Sequence, residues 1–153
     1  MTLKPPFSVD SLRLGIAIET AETMEALGAW LVSQLPDDSV LTLSGTLGVG
    51  KTTLVRGIAR ALGIRETVSS PTFNIYNIYR GRAQQLIHMD AYRLESADDL
   101  EALMLDDFLA SPWIWVVEWP ENISSALPAN RTSLELTIVG DMHWVVLKKL
   151  ETT

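Results

Sequence analysis

The chain has 153 residues, of which 47% are apolar, a size and composition typical of one globular domain with a sizeable core. It contains no cysteine, which excludes disulfides and thiolate metal sites, and its longest apolar runs are too short to span a bilayer. Its net charge of −7, without any run of Lys and Arg, argues against direct binding of nucleic acid.

The N-terminal segment lacks the apolar stretch of a signal peptide, so we expect a cytoplasmic protein.

The first half of the chain alternates between strand and helix patterns. Apolar residues alternate over 12–18, which predicts a half-buried strand. Thr20 can cap a helix over 20–35, since apolar residues form a stripe along one face. Residues 40–43 predict a strand, and a helix should follow over 51–62.

The middle of the chain predicts a hairpin and a short helix. Segments 73–79 and 84–90 are rich in strand-forming residues and are separated by the turn 80–82. Ser96 together with Asp99 offers a variant capping box for a helix near 98–104.

The last third of the chain predicts three strands. The continuous apolar run 113–117 is typical of a strand buried on both faces. Alternation over 134–138 predicts a second strand, and Gly140-Asp141 can turn the chain into a third over 143–150. We therefore predict a single α/β domain over residues 1–153, with a parallel centre, antiparallel edge strands and flanking helices.

The stretch GTLGVGKT, between the predicted strand 40–43 and the helix that begins at Lys51, matches the P-loop pattern G-x-x-x-x-G-K-[ST]. Glycine-rich backbone lets successive N–H groups surround a phosphate, and the helix N-terminus also favours an anion. Lys51 would reach the β- and γ-phosphates, and the Thr52 hydroxyl would bind Mg²⁺. The pattern therefore predicts a P-loop NTPase-like mixed sheet and a nucleotide-binding segment. The predicted binding residues are Gly45, Thr46, Leu47, Gly48, Val49, Gly50, Lys51, Thr52 and Thr53.

Two acidic residues follow apolar strands and are candidates for metal and water chemistry. Asp90 closes the segment 85–89, and Glu118 closes 113–117. Ligands of open α/β sheets lie at the carboxyl ends of the strands. If both strands flank the P-loop strand in parallel, both carboxylates face the phosphates, with Thr52, Asp90 and Glu118 as candidate metal ligands. The alternative is that each is a solvated charge at a strand end.

Several function classes remain open at this point. A GTPase is disfavoured, because the chain has no Asn-Lys-x-Asp segment that could recognise guanine. A small-molecule kinase is possible, although Arg80 and Arg82 share only a short turn and no long lid segment is visible. A non-catalytic nucleotide sensor is possible as well.

Three segments occur together in a specific order: LSGTLGVGKTTLVRG at 43–57, SSPTFNIYNIY and HMDAYRL within 69–94, and VVEWPE at 116–121. In this combination the chain resembles the TsaE family, also called YjeE, which are bacterial P-loop ATPases of tRNA threonylcarbamoyladenosine biosynthesis. The resemblance covers about 40–128. The chain departs from the family at Thr46 and Val49, where Asp and Ala are frequent, and at Met104, where glycine is common.

The resemblance implies a function and roles for individual residues. The family binds ATP or ADP with Mg²⁺. Its hydrolysis of ATP is thought to reset the TsaB–TsaD complex, which installs the threonylcarbamoyl group on the adenosine next to the tRNA anticodon. Contact of the family itself with tRNA would be indirect. Asp90 would be a metal-side carboxylate and Glu118 the catalytic one. Thr72 would lie in a switch-like loop near the γ-phosphate, and Trp119 near the nucleotide. Lys51, Glu118 and Thr72 are thus the predicted catalytic residues.

Thr72, Trp119 and two further residues of the same segments, Arg93 and His88, also have a purely structural interpretation. Thr72 follows a proline and can simply begin a strand, and Trp119 can be core packing. Arg93 can pair with a carboxylate or cover the sheet with its stem. His88 lies on a predicted strand, where a core histidine is a better interpretation than a metal ligand, since two histidines and no cysteine disfavour zinc.

Overall fold

The computed structural model of the chain describes residues 6–46 and 48–151. Within these residues seven strands form one mixed sheet in the order β1-β7-β6-β2-β5-β4-β3. The strands are β1 (Ile16–Ile18), β2 (Ser39–Ser44), β3 (Tyr76–Arg80), β4 (Gln85–Asp90), β5 (Trp113–Glu118), β6 (Thr132–Val139) and β7 (Met142–Lys149). The helices are α1 (Val9–Leu14), α2 (Ala21–Gln34), α3 (Lys51–Ala61) and α4 (Ala97–Ala102), with short 3₁₀ helices at Leu105–Asp107 and Pro120–Ala126.

The centre of the sheet is parallel and its edges are antiparallel. Strand β2 lies between β5 and β6 and runs parallel to both, and β4 runs parallel to β5. The outer pairs, β3 with β4, β6 with β7 and β1 with β7, are antiparallel. This arrangement confirms the predicted fold class.

Both faces of the central sheet are covered, which gives two hydrophobic clusters. One cluster joins the sheet to α2 and α3, and includes Leu86 on β4 and Val116 on β5. The other lies beneath α4 and the 3₁₀ helices, and includes Ile87 and Val117 of the same two strands. The continuous apolar run in β5 is therefore explained, as predicted, by burial on both sides.

Helices α2 and α3 approach closely because each has a glycine at the crossing. A Cβ on Gly28 would lie 2.3 Å from the carbonyl oxygen of Leu54, and one on Gly57 would lie 2.0 Å from that of Glu25. Real Cβ atoms do not approach carbonyl oxygens this closely, so only glycine permits this backbone contact. The contact fixes α3, the helix that follows the P-loop, against the rest of the molecule.

The predicted strand over 12–18 is wrong in its first half. A capping box between Ser8 and Ser11 starts the helix α1, and only Ile16–Ile18 forms a strand. Within the alternating pattern, Leu12 is fully buried whereas Leu14 is 86% exposed. Four apolar residues two positions apart were therefore compatible with a turn of helix followed by a short strand.

The predicted hairpin forms, but its first strand begins later than expected. Strand β3 starts at Tyr76, and Ile75 before it has a left-handed φ of 68° that interrupts an extended conformation. Phe73, which the pattern places in the strand, is 86% exposed. The aromatic and β-branched composition of 73–75 thus does not correspond to strand structure.

Several helix boundaries agree with their sequence signals. Thr20 caps α2 by accepting from the backbone N–H of Thr23, and Gly63, with φ of 79°, follows the end of α3. Ser96 caps α4, although the Asp99 carboxylate accepts from the backbone N–H of Glu95 rather than completing a capping box. Among the described residues, no helix is both long and apolar enough to cross a membrane.

Candidate nucleotide site

A cleft of about 920 Å³ opens at the carboxyl ends of β2, β4 and β5, beside the N-terminus of α3. Residues from five separate parts of the chain meet in it. Its lining residues are Thr46, Gly48, Gly50, Lys51, Thr52, Thr53, Ser70, Thr72, Asp90, Tyr92, Arg93, Glu118, Trp119 and His143.

The glycine-rich segment between β2 and α3 has the backbone of a phosphate cradle. Gly45, Gly48 and Gly50 have positive φ values of 149°, 80° and 100°, conformations that favour glycine. A Cβ on Gly45 would lie 2.4 Å from the carbonyl oxygen of Leu136, so the turn leaves no room for a side chain. Gly50 caps α3 without a side-chain hydrogen bond, which leaves the first N–H groups of the helix available to an anion. The segment therefore fits a bound phosphate.

The predicted binding residues of this segment differ in what they present to the cleft. Thr46, Gly48, Gly50, Thr52 and Thr53 line it. The side chain of Val49 is buried, at 1% exposure, so Val49 can contribute only its backbone. Leu47 lies outside the described residues.

Lys51 is the buried cation of the cleft. Its ammonium group donates to the carbonyl oxygen of Gly45 at 2.7 Å and lies 4.0 Å from the centre of the Trp119 ring. Burial lowers the pKa of Lys51 below its ordinary 10.5, and the carboxylates of Glu118, Asp90 and Glu121 oppose that shift. The chain thus holds a desolvated positive charge at the mouth of the phosphate cradle.

Trp119 forms the wall next to Lys51. It has a left-handed φ of 55°, directly after the end of β5, and its ring meets that of Tyr92 at a centroid distance of 5.1 Å. Since Trp119 lines the cleft and contacts Lys51, it is more than packing in the core. Whether it touches a nucleotide remains a prediction.

Asp90 and Glu118 lie side by side, because they are partners in the register of the parallel strands β4 and β5. Of these two strands only β5 borders the P-loop strand β2, and β4 is one strand further out, so the condition that both flank β2 holds for Glu118 but not for Asp90. Pairing of β4 with β5 nevertheless brings Asp90 into the cleft, where its carboxylate also accepts from the backbone N–H of Tyr92 at 3.0 Å.

The carboxylates suit Mg²⁺ held together with phosphates rather than a metal held by protein alone. Within 6–46 and 48–151, no group of three or more His, Asp or Glu side chains is arranged to hold an ion. Mg²⁺ commonly uses one or two carboxylates, a hydroxyl, phosphate oxygens and water. Thr52, Asp90 and Glu118 around one cleft provide that set of oxygen donors.

Glu118 is held from within the protein. It is only 4% exposed, and its Oε2 lies 2.7 Å from Nε2 of His88, which is completely buried. His88 is therefore a core histidine, as expected, but its partner Glu118 lines the cleft.

Thr72 and Arg93 line the cleft and are exposed. The Thr72 hydroxyl is 3.1 Å from that of Ser70 in an exposed loop. The Arg93 guanidinium lies 5.6 Å from the ring centre of Phe73, and within the described part of the chain it forms no ion pair with Asp90 or Glu118.

Three cleft residues were not predicted from the sequence as site residues. Ser70 and Tyr92 lie within the segments that carry the family resemblance, whereas His143 lies outside them. His143 is the clearest case. It lies at the start of β7, 94 residues after Val49, and its Nδ1 is 2.9 Å from the carbonyl oxygen of Val49. A carbonyl can only accept, so Nδ1 donates. Only the pairing of β7 in the sheet brings this side chain to the P-loop.

Residues 18–143 match the family described as threonylcarbamoyl adenosine biosynthesis protein TsaE. The protein of that name from Streptomyces coelicolor is 43% identical over 122 residues, which are 77% of this chain and 82% of that protein. The one from Bacillus subtilis is 43% identical over 102 residues, 67% of this chain and 63% of that protein. The crystal structure of Bacillus subtilis YdiB superposes with a TM-score of 0.72 at 30% identity, covering 87% of this chain and 82% of YdiB.

Proposed function

Because this chain belongs to the TsaE family of tRNA threonylcarbamoyladenosine biosynthesis proteins, we propose that it is the ATP-binding and ATP-hydrolysing accessory protein of that modification. In this proposal it acts on TsaB–TsaD, does not itself transfer the threonylcarbamoyl group, and meets tRNA only through those partners. One domain spanning residues 1–153 carries the activity.

The observation that carries the proposal is the single cleft in which a glycine cradle, a buried lysine and two carboxylates meet. Backbone N–H groups of the cradle and the start of α3 would bind the phosphates, and Lys51 would neutralise their charge. Bound ATP with Mg²⁺ supplies the phosphoryl group that hydrolysis passes to water.

The remaining side chains of the cleft would have separate roles in binding the metal, the water and the γ-phosphate. Thr52 and Asp90 would hold the metal, directly or through water, with Glu118 near enough to assist. Glu118 would align and activate the attacking water, since it ends the strand next to β2. Thr72 would contact the γ-phosphate from its loop, and Trp119 would close the cleft beside Lys51.

Phosphate release measured with and without TsaB–TsaD tests this proposal. We expect slow release by the protein alone and faster release when both partners are present. ADP formation that requires a small acceptor molecule would instead indicate a small-molecule kinase. ATP binding without any turnover, in either condition, would indicate a nucleotide sensor.

A further inference from the structure

The contact between His88 and Glu118 joins the buried core to the cleft. Nε2 of His88 lies 2.7 Å from Oε2 of Glu118, and the two side chains are 0% and 5% exposed. Glu118 lines the cleft, whereas His88 does not. Any effect of His88 on the cleft is therefore transmitted through Glu118.

The strand register explains how a histidine reaches this carboxylate. His88 is the partner of Val116 in the parallel β4–β5 pair, and Asp90 is the partner of Glu118. Side chains two positions apart share a face of a strand, so His88 and Glu118 lie diagonally on one face. Leu86 and Val116 on that face belong to the cluster beneath α2 and α3, so this is the face on which the P-loop helix packs.

The hydrogen bonds available to His88 determine its tautomer. A carboxylate oxygen accepts, so Nε2 carries the proton. Nδ1 is buried and has no partner within the described residues, which fits an unprotonated nitrogen better than a second N–H. The buried imidazole thus presents one donor, in one direction, to one oxygen of Glu118.

We propose that His88 is a positioning residue, whose Nε2–H holds Oε2 of Glu118 and so reserves Oε1 for the attacking water. The inference rests on the proposed ATP hydrolysis and adds to it a residue that does not touch the nucleotide. A glutamate side chain has three rotatable bonds, and a fixed oxygen restricts the orientations that the other oxygen can adopt. An apolar side chain at position 88 would fill the core but leave Glu118 free to rotate.

Four variants separate positioning from packing. His88→Leu keeps an apolar core but removes the donor. His88→Gln retains an amide nitrogen near the position of Nε2, while His88→Asn is too short to reach Glu118. Met89→Leu is the matched control, because Met89 is also fully buried on β4 but belongs to the cluster on the opposite face.

We expect His88→Leu and His88→Asn to lower kcat for ATP on the order of tenfold to a hundredfold, the usual loss when a supporting hydrogen bond is removed. The ATP dissociation constant should stay within about twofold, and His88→Gln should recover most of kcat. If His88→Leu does not fold, the contrast between His88→Gln and His88→Asn decides the question alone. Equal kcat in the Gln and Asn variants would overturn the inference.

A double variant tests whether His88 acts through Glu118. Adding His88→Leu to Glu118→Gln should reduce kcat no further than Glu118→Gln does alone. Losses that multiply would show an independent, structural role. If the wild-type protein with its partners hydrolyses no ATP, the proposed function fails and the inference fails with it. If the wild type hydrolyses ATP and all His88 variants are equally active, the inference alone fails.

A nitrogen NMR spectrum supplies a readout that needs no turnover. The chain has two histidines, so the signals that disappear in His88→Gln identify His88. We expect a protonated Nε2 and an unprotonated Nδ1, with Nε2 shifting in Glu118→Gln. A proton on Nδ1 in the wild type would contradict the proposed contact.

Discussion

At the scale of single residues, Lys51 combines a positive charge with a buried position. Its ammonium contacts the carbonyl oxygen of Gly45 and the ring of Trp119. Neither contact is an ion pair, so a phosphate would be a stronger partner than those the protein provides. Lys51→Met, which keeps the length of the side chain, should therefore weaken ATP binding about tenfold to a hundredfold, equivalent to about 1.5–3 kcal/mol.

Calorimetric titration with ATP measures this effect. Lys148→Met is the control, because Lys148 is an exposed lysine on β7, 3.9 Å from Glu135, and does not line the cleft. Unchanged ATP affinity in Lys51→Met would contradict the assignment of the phosphate cradle.

The lowered pKa of Lys51 also predicts how stability depends on pH without nucleotide. In the folded protein burial disfavours the charged amine. Between the lowered pKa and 10.5, the amine is therefore neutral in the folded protein but still protonated in the unfolded chain. Stability contributed by Lys51 is therefore least below the folded pKa and rises as the pH increases toward 10.5. Relative to Lys51→Met, the wild type should gain free energy of unfolding over that alkaline interval, as measured by urea unfolding at neutral and alkaline pH. A difference between the two proteins that does not change with pH would refute this expectation.

Neutralising each of the two carboxylates at the cleft should change a different property of the ATPase reaction. Glu118→Gln should still bind ATP but lose about 10²-fold or more in hydrolysis, since its proposed partner is the attacking water. Asp90→Asn should raise the Mg²⁺ concentration needed for half-maximal activity, since its proposed partner is the metal. Steady-state ATPase assays with TsaB–TsaD over a range of Mg²⁺ concentrations measure both. Wild-type hydrolysis by Glu118→Gln would make Glu118 a structural strand end.

At the scale of elements, the P-loop depends on how α3 is held against α2. Gly57 lies where a Cβ would be 2.0 Å from the carbonyl oxygen of Glu25. Alanine favours a helix by about 1 kcal/mol over glycine, but overpacking a backbone contact typically costs about 1–3 kcal/mol. Since a carbonyl on the facing helix cannot move aside alone, we expect the clash to dominate. Gly57→Ala should lower the free energy of unfolding and weaken ATP binding.

Urea unfolding and ATP titration of Gly57→Ala measure the two effects. Gly140→Ala is the matched control: a Cβ there meets no atom within 4 Å, and its φ of 62° is the remaining source of strain. We expect Gly140→Ala to lose stability without loss of ATP affinity. A Gly57→Ala protein as stable as the wild type would show that the helices can separate without penalty.

At the scale of the whole molecule, the net charge bears on whether the protein can bind tRNA by itself. Its net charge of −7 opposes approach to a polyanion, and phosphate contacts dominate the affinity of proteins for nucleic acids. We expect no measurable binding of tRNA by the protein alone at physiological salt. Fluorescence anisotropy of labelled tRNA, repeated with TsaB–TsaD added, measures this. Tight, salt-sensitive binding by the isolated chain would contradict the proposal that partners mediate the contact.

Much of the architecture has a local cause and could be predicted from the sequence. The glycines and Lys51 of the P-loop, the Thr20 cap and the turn at Gly140 depend on the conformations that neighbouring residues allow. Met104 belongs here as well: it stands where the family commonly has glycine, and its φ of 53° is left-handed. The backbone therefore keeps a glycine-like conformation at this position although the residue is methionine.

Local patterns failed where burial, rather than sequence spacing, selects the structure. The alternation over 12–18 fits a strand, yet the Ser8–Ser11 capping box and the buried Leu12 favour α1. The composition of 73–75 also fits a strand, but Ile75 adopts a left-handed conformation and Phe73 stays exposed. In both places the number of residues is too small for periodicity to distinguish the alternatives.

The P-loop, the acidic residues at strand ends and the mixed α/β class are predictable from local patterns, because each pattern involves residues close together in the chain. Only the folded chain shows that β5 borders β2 and that β4 lies one strand further out. It alone brought His143 to Val49 and His88 to Glu118, across 94 and 30 residues. The physical reason is that parallel strands pair through hydrogen bonds between distant segments, and a strand's own residues do not specify which neighbour it will have.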